Sequence, residues 1–288
     1  MTDIDKVLYY IEDHLDEELS IDTLAKVASY SKFHFSRLFK MYVGESVSSY
    51  ITRLRLEKAS FMAVQNASIT DLAMDVGFQT HSGFNKAFKK MFNQSPSQYR
   101  IQKISFLKNY KKKLHTVPEI VYMEEAPVLF CRAKGDYGVV PAEAWKKLTV
   151  KYYEFIENLS QKEQQYFQYY YHQNGKYIGI CHDDPSITKT ENIRYDACVA
   201  CKEEDVKRLK KEGFSVKSLH SGRYVKVDHT DGFDTIVDSF YGLYGWIEEK
   251  GYKLRDCPAF EKYINFNVNP SDMSQCSVDK VEIYAPIE

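Results

Sequence analysis

Nowhere in its 288 residues does the sequence approach the ~20 consecutive apolar residues that a membrane span requires. Its opening, MTDIDKVLYY, is acidic where a secretory signal would be basic and then apolar. From these two absences we expect a soluble cytoplasmic protein with no membrane partner. Cysteine is sparse, with six residues at 131, 181, 198, 201, 257 and 276 and none in the first third. Cys198 and Cys201 make a single CxxC, but no second pair or histidine cluster completes a zinc site, so these thiols read as buried bystanders. The sequence calls for no metal and no cofactor. A Ser-His-Asp arrangement, a P-loop and a dinucleotide fingerprint are also missing, which disfavours ordinary hydrolase and nucleotide chemistry.

What is present suits two cores. The apolar fraction is 44% and the aromatic fraction 15%, and tyrosine reaches 23, mostly after residue 100. A chain of this length predicts two domains. Charge divides the same way: residues 1–115 carry 17 Lys+Arg against 12 Asp+Glu, the remainder 22 against 28. A basic front suits a polyanion and an acidic back suits a cation.

The front reads as helix throughout. Ile4, Val7, Leu8, Ile11 and Leu15 recur at helical steps. Ser20 caps a short helix through Leu24-Ala25, a break at 29–31 follows, and a helix from Lys32 ends at Gly44. A longer helix is expected over about 46–65. The pattern then recurs: Ile69-Leu72-Ala73 matches Ile21-Leu24-Ala25, and Phe84-Ala87-Phe88 matches Phe35-Leu38-Phe39. This is a duplicated helix-turn-helix.

In such a unit the second helix enters the major groove and presents side chains to base edges. With Phe35, Leu38 and Phe39 inward, the outer face of the first unit keeps Lys32, Phe33, Ser36, Arg37 and Lys40. With Phe84, Phe88 and Phe92 inward, the second keeps His81, Ser82, Asn85, Lys86, Lys89 and Lys90. Neither face carries an acid, as a phosphate-lined groove demands. A connecting helix of about 20 residues is ~30 Å long, close to the ~34 Å between successive major grooves. Double-stranded DNA is the expected partner.

The segments ASYSKFHFSRLFKMYVGESVSSYITRLRLEKA and DLAMDVGFQTHSGFNKAFKKMFNQSPSQYR resemble the AraC/XylS family of bacterial transcription regulators over residues 3–105. The resemblance implies base-reading positions at Phe33, Ser36 and Arg37 and at His81, Ser82, Asn85 and Lys86, and RNA polymerase as a further partner. Ser36 and Ser82 depart from the longer glutamines of some relatives, so base preference does not carry over.

From Glu119 short β-rich runs appear: IVYM, PVLFCRA, YIGIC, YDACVAC, YVKVDH, FEKYINF and VEIYAPI. Amphipathic helices are expected over about 141–159 and 233–250. Strand, helix, strand, strand is read from Val128 to Cys201 and again from Gly222 to Pro286. The fold class is therefore an all-α double helix-turn-helix domain (1–105), a linker (106–118) containing the basic run Lys111 to Lys113, and a duplicated α+β domain (119–288).

That layout, with Trp145, Trp246 and the run Pro258-Ala259-Phe260-Glu261-Lys262-Tyr263, resembles the GyrI-like effector-binding domain. The resemblance implies a small-molecule effector, a lipophilic cation met by Glu261, and a role in multidrug sensing. A carboxylate is costly to desolvate in an apolar pocket, so a cation that pairs with it is held strongly. Tyr263, Trp246, Trp145, Tyr152, Tyr137, Tyr224 and Tyr284 are the candidate aromatic walls, each adding roughly 0.5–2 kcal/mol of cation–π attraction. Ordinary core packing is the competing role for each aromatic, and a surface ion pair for Glu261. The primary reading is a non-enzymatic, ligand-responsive regulator. The alternatives are a hydrolase acting on electrophilic small molecules with Glu261 as general base, and a platform for protein interaction.

Overall fold

A computed structural model describes residues 2–64, 68–111, 114–173, 177–267 and 276–288, side chains at 172 and 173 aside. The chain forms two compact units, Met1–Ser105 and Phe106–Glu288. Position 65 at the end of the expected 46–65 helix, and Lys112 and Lys113 of the basic run, lie outside the described residues.

The first unit is helical: α1 Asp3–Asp13, α2 Ile21–Val27, α3 Lys32–Val43, α4 Val47–Met62, α5 Ile69–Asp75, α6 His81–Phe92 and the start of α7 Pro96–Lys111. Side-chain caps open the helices, with Ser20, Ser46, Ser68 and Thr80 accepting from nearby backbone N–H groups. Residues in the left-handed region close α3 at Gly44 and α6 at Asn93. Val7, Ile11, Leu24, Phe35, Phe39 and Tyr50 form the core of the first helix-turn-helix. In both copies the turn needs a positive φ, supplied by Ser29 (57°) and Gly77 (83°). Helix α4 has 16 residues, so the connecting strut is about 24 Å long at 1.5 Å per residue, shorter than expected.

The second unit begins at Phe106, within α7, which ends at Lys111. Its strands are β1 Glu119–Met123, β2 Ala126–Lys134, β3 Tyr177–Cys181, β4 Arg194–Ala200, β5 Ser215–Leu219, β6 Gly222–His229, β7 Ala259–Ile264 and β8 Lys280–Ile287. Its further helices are α8 Val140–Glu157, α9 Gln161–Gln168, α10 Glu203–Lys211 and α11 Ile236–Lys250. All eight strands join one antiparallel sheet in the order β1-β6-β8-β7-β3-β4-β2-β5. The order is symmetric about its centre, which places β2-α8-β3-β4 opposite β6-α11-β7-β8. Each edge strand is exchanged: β1 precedes β2 but pairs with β6, and β5 precedes β6 but pairs with β2. Helix α8 packs on β2 and β4, and α11 on β6 and β8, so the central pair β3–β7 lies between them.

Candidate functional site

On α3 the side chains of Lys32, Phe33, Arg37 and Lys40 are exposed and Ser36 is half-buried. Phe33 is 88% exposed, an unusual position for a phenyl ring unless something covers it. Lys32 pairs with Asp22 of α2 at 2.8 Å, and the Ser36 hydroxyl donates to the Lys32 carbonyl at 2.9 Å. On α6, His81, Ser82, Lys86, Lys89 and Lys90 are exposed and Asn85 is half-buried, its amide 3.2 Å from the His81 ring. The inward stripe is narrower than expected: Phe35, Phe39, Phe84 and Phe88 are buried, but Leu38 and Phe92 are only half-buried because they end the apolar arc.

In the second unit, period-two alternation turns Ala259, Glu261 and Tyr263 to the helix side of the sheet. Glu261 is only 5% exposed and faces Gly179 across the β3–β7 register. Its two oxygens have neutral donors: the Cys181 thiol at 3.3 Å, and the Tyr263 hydroxyl. The Tyr263 oxygen lies 2.7 Å from that of Tyr195, and the Trp145 indole N–H donates to Tyr195 at 3.2 Å. The Trp145, Tyr263 and Phe266 rings meet at 5.0–5.7 Å, with the exposed Phe233 ring 6.2 Å from Tyr263. The Tyr137 hydroxyl donates to the Asp183 carbonyl at 2.9 Å, its ring edge-on to Tyr195.

Gly179 is needed because Tyr195 crosses it: a Cβ there would sit 2.1 Å from the Tyr195 hydroxyl. The duplication thus puts a carboxylate on one central strand and, opposite it, the gap through which a tyrosine from the other half arrives. Burial pushes the Glu261 carboxyl up to about 7, against the pull of Tyr263 and Cys181. Burial first, and then the negative charge of Glu261, raises Tyr195, Tyr263 and the Cys181 thiol well above their ordinary values.

The structure therefore gathers Glu261, Tyr263, Trp145 and Tyr137, but not the other four aromatics. Tyr152 is core, its hydroxyl donating to the Phe167 carbonyl at 3.1 Å and its ring against Tyr171. Trp246 stacks on Tyr252, under the Lys250 ammonium. Tyr224 and Tyr284 flank Phe260, which alternates with Glu261 and so lies on the other face of the sheet. Sequence reasoning missed Tyr195, Cys181, Gly179, Phe233 and Phe266. A glycine inside a strand signals close approach of another group, and Gly179 was the one readable hint. Both thiols of the CxxC are buried and free. Cys181, in contrast, touches the candidate site.

A duplicated helix-turn-helix with two cationic outer faces, followed along the chain by a duplicated sheet with a buried acid among aromatics, defines a DNA-binding module and a small-molecule-binding module. Residues 116–288 match the GyrI-like small molecule binding domain and residues 24–102 a helix-turn-helix domain, so the chain belongs to the GyrI-like family, behind an AraC-type helix-turn-helix. It is 37% identical over 123 residues to the uncharacterized HTH-type transcriptional regulator YbfP of Bacillus subtilis (42% of this chain, 39% of that one). It is 35% identical over 130 residues to the transcriptional regulator Rob of Salmonella typhimurium (43% and 45%). With the regulatory protein SoxS of Escherichia coli it shares 33% identity over 98 residues, 34% of this chain and 92% of that one. The matches with YbfP and Rob span less than half the length of either.

Proposed function

We propose that this protein is a sequence-specific transcription regulator in which α3 and α6 read DNA and the GyrI-like domain binds a lipophilic organic cation at Glu261. The observation that carries the reading is Glu261 itself, buried among aromatic rings with neutral hydrogen-bond donors as its described partners. A carboxylate in that setting lacks a compensating charge, which a ligand would bring. Base contacts are assigned to Phe33, Ser36 and Arg37 on α3 and to His81, Ser82, Asn85 and Lys86 on α6. Phosphate contacts are assigned to Lys40, Lys89 and Lys90, and to Lys32 once it leaves Asp22. RNA polymerase is the partner through which such a protein, acting in the cytoplasm, would change transcription. No catalytic step is assigned, and the hydrolase alternative gains no support from relatives named as regulators. Titrating the full chain with tetraphenylphosphonium, followed by calorimetry, tests the reading. Saturable binding that is lost in Glu261→Gln is expected; equal binding by wild type and variant, or none by either, would reject it.

A further inference from the structure

We infer that Trp145 and Tyr195 are positioning residues of the Glu261 site: a one-way chain of hydrogen bonds, from Trp145 through Tyr195 and Tyr263 to Glu261, keeps that group an ionised acceptor for an organic cation. The direction follows from the two ends. An indole N–H only donates, and an ionised carboxylate only accepts. Between them each hydroxyl accepts once and donates once, so Trp145 donates to Tyr195, Tyr195 to Tyr263, and Tyr263 to Glu261. Every link is then satisfied.

Protonating Glu261 weakens this match. A proton on the oxygen facing Cys181 leaves Tyr263 donating to a neutral acid, a poorer acceptor than a carboxylate. A proton on the other oxygen disrupts the chain outright. If the acid donates to Tyr263, Tyr263 must turn its proton to Tyr195. That oxygen then accepts twice, and its own proton loses its described acceptor at a residue with no solvent exposure. A buried O–H without a partner is costly. The chain also strengthens cooperatively, because each donor polarises the next. Trp145 and Tyr195 thus act on Glu261 without touching it.

Among the described residues, the titratable groups near the carboxyl come from several elements. Cys181 of β3 and Tyr263 of β7 donate to it directly, and Tyr195 of β4 does so through Tyr263. Tyr137, just before α8, stands near both Cys181 and Glu261. Tyr244 of α11 stands near Cys181. Asp183 is neutralised by Arg194, at 2.7 Å. Burial favours the neutral acid, and the chain opposes it.

The inference rests on the reading of Glu261 as a cation site, but its test is separable from that reading. The full chain carrying 13C at the glutamate carboxyl carbons is titrated by NMR without ligand, with the Glu261 signal assigned from Glu261→Gln. Trp145→Phe keeps a ring and loses the N–H; Tyr195→Phe keeps a ring and loses the relay hydroxyl. Each is expected to move the Glu261 midpoint to higher pH by about 0.5–1 unit, and tetraphenylphosphonium binding at pH 7 should weaken in step. Either variant decides the matter should the other fail to fold. A midpoint that stays in place in a folded variant overturns the relay, whether or not the phosphonium binds. A midpoint that moves while the phosphonium does not bind supports the relay and rejects the cation site.

Discussion

At the scale of single residues, Glu261 is where charge and burial conflict most directly. Burial penalises the charged form and pushes its carboxyl from the ordinary 4.5 up to about 7 in the folded chain. The sign follows from linkage: the unfolded chain releases this proton first. Stability is therefore fully present below about 4.5 and is lost as pH rises through about 7. The loss is on the order of 3 kcal/mol. Glu261→Gln removes it, so the variant should melt progressively higher than wild type between pH 5 and pH 8.5 without ligand. Thermal denaturation across that range checks this, and a constant difference between the two proteins would count against a buried, titrating Glu261. The identity of Glu261 as the candidate acid was legible from the Ala259–Tyr263 run. Its partners were not, since Cys181 and Tyr195 are 80 and 66 positions away and only strand pairing brings them near.

At the scale of elements, the two helix-turn-helix copies share a turn but not the same tolerance at its left-handed residue. Gly77 lies against the Leu15 carbonyl and the Arg55 guanidinium, and a Cβ there would sit 2.4 Å from that carbonyl oxygen. Arg55 itself donates to the Leu15 carbonyl at 2.8 Å and the Glu17 carbonyl at 2.6 Å, so the neighbouring backbone is held in place. Gly77→Ala should cost more than about 2 kcal/mol by combining an unfavourable φ with a backbone clash. Ser29→Ala, in the first copy, keeps an L residue at a φ the serine already adopts, at an exposed position, and should cost less than about 0.5 kcal/mol. Urea unfolding of both variants compares them. On the recognition helices, Arg37→Ala and Lys86→Ala should each weaken a specific site by ~1–3 kcal/mol, and equal losses on all sequences would mark phosphate contacts instead. Elements with a strong apolar stripe were readable, including α3, α6, α8 and α11. Helix α10 was missed because Leu209 is its only buried residue, and β5 because Ser215–Leu219 has no clear alternation.

At the scale of the whole molecule, the basic first part and acidic second part separate two kinds of binding. DNA affinity should fall steeply with salt, by ~10³-fold or more between 50 and 200 mM if six phosphates are engaged. Binding of an organic cation at a buried acid should change far less, because desolvated pairs are poorly screened. Measuring both on one preparation, by anisotropy and calorimetry, tests that division; parallel salt slopes would refute it. The sequence alone determined the architecture: helical and strand periodicities, caps and a repeat at short range are local physics, and they were enough to separate a double helix-turn-helix from a duplicated α+β domain. Only the tertiary structure decided which aromatics surround Glu261. A period-two strand assigns a residue to one of two faces without saying which face holds the helices, so Tyr224 and Tyr284 were grouped with a site they turn away from. The exchange of β1 and β5 between halves, and the passage of Tyr195 over Gly179, depend on pairings between distant segments that no local pattern encodes.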